Sequence, residues 1–199
     1  MKAHFTKLIS LVWIISLSSI IYANSSNCVS YKATKGVFFG ISDIEVIGKS
    51  CDLKIDITKT TSEHLNLTLT IEPSTFDSDN DKRDKHVTEV LGGENSTPLR
   101  VFFKDLDEDF LNTLGKEKSK DLEGALEIRG KTYTLPFSIS LTEDLKKLEV
   151  TATSKLSNLN IKLSNVAGGL IAKPRDQLEL QGSISIEFIK HKIEQLKTN

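Results

Sequence analysis

Apolar residues recur at every second position through most of this chain, and that period limits the folds open to it. Leu53, Ile55 and Ile57 alternate with Lys54 and Asp56; Leu65, Leu67, Leu69 and Ile71 alternate with Asn66, Thr68 and Thr70. Leu122, Gly124, Leu126 and Ile128 lie opposite Glu123, Ala125, Glu127 and Arg129, and Tyr133, Leu135, Phe137, Ile139 and Leu141 follow a turn at Gly130-Lys131. Leu148, Val150 and Ala152 come next, then Leu159, Ile161 and Leu163, and finally the run Leu178, Leu180, Gly182, Ile184, Ile186 and Phe188. A spacing of two places each set on one face of a strand. With Gly36 to Ile47 and Leu99 to Phe103 added, about nine strands are expected.

One apolar and one polar face per strand, with short connections, points to an antiparallel all-β domain. About eight long strands must hide both their edges and their apolar face, and an up-and-down barrel does both. A two-sheet sandwich satisfies the same pattern, so the period alone leaves the two open. Gly124 and Gly182, inside otherwise regular strands, favour a curved, closed sheet. Two segments depart from the period. Asp81–Leu91 carries Val87, Val90 and Leu91 at helical spacing and stops at Gly92-Gly93. Asp105–Leu114 places Leu106, Phe110, Leu111 and Leu114 on one helical face, with acids in its first turn. Both are expected as short helices capping one end of the barrel. The tail from Phe188 to Asn199 reads as a short amphipathic helix or a frayed end.

The first 23 residues have the layout of a secretory signal peptide: Lys2 and Lys7, then an apolar stretch from Leu8 to Ile21, then Ala23 at the cut. An uncleaved anchor is the alternative. Lipidation at Cys28 is not expected, since Ser25-Ser26-Asn27 precede it. Cleavage leaves residues 24–199 as one domain. The chain carries a formal net charge of −1, more negative once Lys2 and Lys7 are gone. That balance gives no basic footprint for nucleic acid. Cys28 and Cys51 are the only cysteines. In an oxidising compartment an even pair reads as a disulfide. Closing a loop of that length contributes about 3 kcal/mol on the chain-entropy model. Two free thiols, or a redox pair lacking the C-x-x-C spacing, are the competing readings.

Signals of chemistry are absent. His64, His86 and His191 stand far apart without metal-ligand spacing, and no nucleophile-elbow, zinc-protease, phosphate-loop or dinucleotide motif occurs. Gly168-Gly169 reads as a turn. Asp77, Asp79, Asp81 and Asp84 lack the glycine and glutamate of an EF-hand loop. No metal, cofactor or reaction is expected.

The segment Ile71–Val87 runs a strand into a serine-containing loop and then into Arg83, Asp84, His86 and Val87. It resembles the YceI-like family, whose strand leads through a loop with asparagine to an R-D-x-H-hydrophobic helix start. Gly124–Tyr133 resembles that family's G-x-L-x-I-x-G-x-T strand-turn-strand, and Gly36–Ile44 its early glycine-rich strand. The similarity spans about residues 30–188. It departs at Leu91–Pro98, where the family has an aromatic-rich F-F-D-V segment and a Y-P. The resemblance implies an eight-stranded lipocalin-like barrel in the periplasm, holding a long isoprenoid or other lipid chain as carrier, store or shuttle, with transient membrane contact. On that reading Leu67, Leu69, Phe103, Leu126, Tyr133, Phe137, Ile161, Leu180 and Ile184 line the ligand. Arg83, Asp84 and His86 are expected to cap the barrel end. In a sharper reading Arg83 or His86 meets a polar head at the mouth. The rival is a filled barrel acting as an interaction or stress-response module.

Overall fold

The computed structural model describes residues 27–37, 42–60, 64–92, 95, 97–163 and 173–197. The expected signal peptide, residues 1–23, and Gly168-Gly169 lie outside the described residues. Among those described, nine strands form one antiparallel sheet curled into a half-barrel, in the order β2-β1-β9-β8-β7-β6-β5-β4-β3. The strands are β1 (Cys28–Val37), β2 (Ser42–Ser50), β3 (Lys54–Lys59), β4 (His64–Ile71), β5 (Leu99–Asp107), β6 (Ser119–Ile128), β7 (Lys131–Leu141), β8 (Lys147–Ser154) and β9 (Lys173–Ser185). Among the described residues three helices accompany them: α1 (Asp81–Gly92), α2 (Phe110–Glu117) and α3 (Ile186–Lys197).

The expected periodicity is realised most fully in the middle of the chain. On β4, Leu65, Leu67, Leu69 and Ile71 are buried; on β7, Leu135, Phe137 and Ile139 are; on β8, Leu148, Val150 and Ala152 are. The β6–β7 hairpin turns at Arg129 (φ 55°) and Gly130 (φ 70°), one residue earlier than expected, with Ile128 opposite Lys131. Positive φ at both central residues is the type I′ geometry that matches strand twist.

Four expectations are corrected. The single early strand is two, β1 and β2, which pair in register from Val29↔Ser50 to Val37↔Ser42. The strand expected at Leu159–Leu163 is absent: Ser157–Leu159 is a 3-10 turn ended by Asn160 in the left-handed region. Its alternation is incidental, because Leu156, Leu159 and Ile161 are buried from an irregular segment. The second helix begins at Phe110, not at Asp105. Asp105 (φ 53°) sits in a bulge of β5, where Leu106 and Phe103 pair with Leu65 and Leu67 and the Asn66 side chain accepts from the Asp105 amide at 3.1 Å. That bulge shifts the strand's phase and mimics helical spacing. Finally, β9 stops at Ser185, whose hydroxyl accepts from the Phe188 amide at 3.4 Å as an N-cap, so Ile186 and Phe188 belong to α3.

The edge strands β2 and β3 do not pair with each other, which leaves a seam. The chain between β4 and α1 fills part of it. Asp77 forms an isolated bridge to Lys49, with amide–carbonyl bonds of 2.8 and 2.9 Å, and the hydroxyls of Ser50 and Thr75 lie 2.6 Å apart. The Cys28–Cys51 disulfide ties the start of β1 to the end of β2 beside this seam.

The helices do not share one end. Residues Leu99, Ile128 and Leu178 lie at the α1 end of the barrel. Leu106, Leu148, Phe110 and Ile189 meet at the other, where α2 and α3 close it over a void of about 30 Å³. Lys197 pairs with Glu108, which Lys59 also approaches at 3.7 Å, and this fastens the end of α3.

Candidate functional site

Halfway along the barrel the interior is filled. The rings of Phe103 and Phe137 meet edge to face, centroids 5.1 Å apart, and both are almost fully buried. Gly124 on β6 makes this pairing feasible, because a Cβ there would stand 2.8 Å from the Phe137 ring and 2.9 Å from that of Phe103. These aromatics close the interior on one side; above them, toward α1, a cavity of about 530 Å³ remains.

The cavity walls come from β1, β9, β6 and α1. Leu126 and Ile128 come from β6, Leu178 and Leu180 from β9, and Val87 and Val90 from α1. Tyr31 and Phe76 stand on the seam side, rings edge to face at 5.3 Å. Tyr31 lies over Gly48, its register partner on β2; a Cβ at Gly48 would come within 2.3–2.7 Å of the tyrosine ring and hydroxyl. Burial holds the Tyr31 hydroxyl above its ordinary pKa, with Asp84 adding to the rise and Ser78 and Arg83 opposing it. Its hydroxyl is buried without a hydrogen bond of normal geometry.

At the mouth the wall turns polar. Thr34, Lys35, Asn80, Lys82, Arg83 and His86 line it, and among the described residues no carboxylate does. Asn80 caps α1, its side-chain oxygen accepting from the Arg83 amide at 3.0 Å. Arg83 reaches back over the cap: its Nε–H donates to Ser78 Oγ at 2.7 Å and its Nη2 donates to the Ser78 carbonyl. The Ser78 amide and hydroxyl in turn donate to Asp84. Ser78 is buried. Arg83 and Asp84 thus grip the seam-filling loop through one serine. His86 Nδ1 lies 3.8 Å from Glu89, and its Nε2 is buried without a partner.

Of the residues expected along a ligand, Leu126 and Leu180 line this cavity, and Arg83 and His86 stand at its mouth. Leu69, Phe103, Phe137, Ile161 and Ile184 are buried but are not in its wall. Leu67 borders the small void near α2, and Tyr133 lines an outer depression with Arg129 and Lys162. Tyr31, Phe76, Val87, Val90 and Leu178 are wall residues that the sequence reading did not single out. For Val87 and Val90 the signal was present in their helical spacing. For Tyr31 it was the alternation of Val29, Tyr31 and Ala33 on β1.

Among the described residues no group of three or more His, Cys, Asp or Glu could hold a metal ion, and no helix is long and apolar enough to cross a membrane. The arrangement offers an apolar slot with a polar, cationic rim. Chains of known structure share the architecture. A polyisoprenoid-binding domain from Saccharophagus degradans, implicated in plant cell wall breakdown, aligns with a TM-score of 0.51 at 10% identity, covering 79% of this chain and 92% of that one. Burkholderia cenocepacia BcnA aligns at 0.53 and 11% identity, covering 78% and 95%. No curated protein matches in sequence. A model of the YceI-like domain matches residues 24–187, and with the half-barrel, its capping helix and its slot in place, the chain belongs to the YceI-like family.

Proposed function

We propose that this protein is an exported, periplasmic lipid-binding protein that holds an isoprenoid or fatty chain in the cavity beneath α1, as carrier, store or shuttle, without catalysis. The observation that carries this reading is the apolar cavity of about 530 Å³ at one end of an otherwise packed barrel. An eight- or nine-stranded barrel has room for side chains or for one small ligand, and here the lower half takes the first course. The polyisoprenoid binding of the Saccharophagus degradans domain, which shares the fold, supports the same reading.

Size limits the occupant. At roughly 30 Å³ per water-sized group, the cavity holds on the order of eighteen methylene-sized groups, or about three to four isoprene units. Longer chains would extend past the mouth. Burying such a chain from water releases roughly 14 kcal/mol gross at about 0.8 kcal/mol per CH2. Measured against a membrane, where the chain is already dry, most of that gain disappears. An exchangeable ligand follows, which suits transport better than tight sensing.

The experiment is native mass spectrometry and organic extraction of the purified protein. A bound lipid is expected. Repeatedly empty protein with no affinity for prenyl or fatty probes would refute the reading. It would favour the filled-barrel interaction module, which the packed Phe103–Phe137 level and the exposed Ile44 and Ile47 on edge strand β2 suit best.

A further inference from the structure

The cavity rim has an uneven charge. Lys35, Lys82 and Arg83 line it, and among the described residues none of the three has a carboxylate within 4.0 Å. Some cations elsewhere do have carboxylate partners. On the same strand as Lys35, Lys32 bonds Glu179 at 2.9 Å and approaches Glu45 at 3.7 Å. Arg175 meets Asp43 at 2.9 Å, and Lys197 meets Glu108. Two carboxylates of α1 are already engaged: Asp84 accepts two bonds from Ser78, and Glu89 faces His86 Nδ1. Arg83 uses two of a guanidinium's five N–H groups on Ser78, and the others have no protein acceptor among the described residues. Beside them, Tyr31 Oη, which faces Ser78, and His86 Nε2 are buried polar atoms without a hydrogen bond of normal geometry. Buried polar groups left unpaired are costly, and so are uncommon away from functional sites.

Resting on the lipid-binding reading above, we propose that the ligand's head is anionic, a carboxylate or a phosphate monoester, seated at the rim formed by Lys35, Lys82 and Arg83 with its chain toward Leu126 and Leu180. A forked guanidinium suits either oxyanion. Two lysines from different elements of the wall, β1 and α1, add attraction without fixed geometry. The cavity's size then sets the tail at about fifteen to eighteen carbons, by the same volume per group.

The test compares matched probes on the purified full chain by isothermal titration: farnesyl monophosphate against farnesol, and palmitate against hexadecanol. Each anion is expected to bind about tenfold tighter than its alcohol at low salt, since a few partly exposed charges each contribute modestly. The advantage should shrink at 0.5 M NaCl, where screening is strong. Lys35→Glu/Lys82→Glu, checked for an unchanged melting temperature, should lose the tighter binding of anion over alcohol; Lys35→Gln/Lys82→Gln serves if the reversal disturbs folding. A preference for only the phosphate or only the carboxylate identifies which anion is meant. Anions and alcohols binding equally at all salt concentrations would overturn the anionic head and leave lipid binding intact. Failure of all four probes would overturn both.

Discussion

Gly124→Ala tests whether the barrel is filled at its middle and hollow only above. The added methyl would sit 2.8 Å from two atoms of the Phe137 ring and 2.9 Å from Phe103. Carbon atoms pack at about 3.5–4.0 Å, so at least one ring must move by more than half an ångström. Over-packing of this kind costs about 1–3 kcal/mol, and losing the edge-to-face contact adds about 0.5–1.5 kcal/mol. Against this, alanine in a strand gains roughly 0.5–1 kcal/mol over glycine. A net loss of about 1–3 kcal/mol follows, and for a domain of this size each kcal/mol lowers Tm by about 2–4 °C. Gly182→Ala is the matched control: its Cβ would meet Val150 at 3.7 Å, an ordinary contact. That variant should be neutral or slightly stabilised. Calorimetry and urea unfolding of the pair decide the matter. Equal stability of the two variants would refute the packed-middle account, and with it the upper bound on ligand length, because an unfilled middle would let a chain run the whole barrel.

Three further outcomes are expected. Gly48→Ala should cost about 1–3 kcal/mol by over-packing Tyr31, and its combination with Tyr31→Ala should cost less than the sum in a double-mutant cycle; additive losses would show that the two do not touch. Replacing both Cys28 and Cys51 by serine should lower stability by about 3 kcal/mol on the loop-entropy model, read as a shifted urea midpoint, and an unchanged midpoint would mean that the bond constrains little. Acid should weaken the fold: Lys197 holds Glu108 below its ordinary 4.5, while hydrogen bonds from Thr142 hold Asp144, and from Ser157 hold Asp176, below 3.8. Each folded pKa is depressed, so the stabilisation is present above those ordinary values and is lost as pH falls through the lower folded ones. Tm should therefore drop below about pH 4.5, and an acid-insensitive Tm would contradict the pairings.

The period of two was readable wherever strands alternate between a dry interior and water, and it located β3 to β9 to within a few residues. It failed where some other geometry produced the same spacing. At Leu159 and Ile161 an irregular segment buries both side chains around the left-handed Asn160, and nothing in a row of alternating residues separates that from a strand. At Asp105 a bulge supported by Asn66 inserts two residues opposite one, so Leu106 and Phe110 fell at a helical interval. At Ile186 the last strand passes straight into a helix, and only Ser185, three residues before Phe188, marked the boundary. The expected count of nine strands was reached with one error offsetting another, since the early strand divides in two while the Leu159 strand does not form.

The site was harder to read, because every inward residue satisfies the same pattern whether it packs against a neighbour or faces a void. Phe103 and Leu180 both lie on inward faces, yet Phe103 is buried against Phe137 while Leu180 faces the cavity. What separates them is where bulk comes from other strands and loops: two phenylalanines over Gly124 fill the middle, and α2 and α3 fill the lower end. At the upper end the chain supplies smaller groups, Ala33 on β1 and Val87 and Val90 on α1, and a slot remains. That difference depends on non-local neighbours from β1, β6, β9 and α1, whose registers are fixed only on folding. Arg83, Asp84 and His86 were readable because their order in the chain is the signal, whereas the lysines that share their rim come from distant segments. Volume and charge at the mouth are thus set by tertiary juxtaposition.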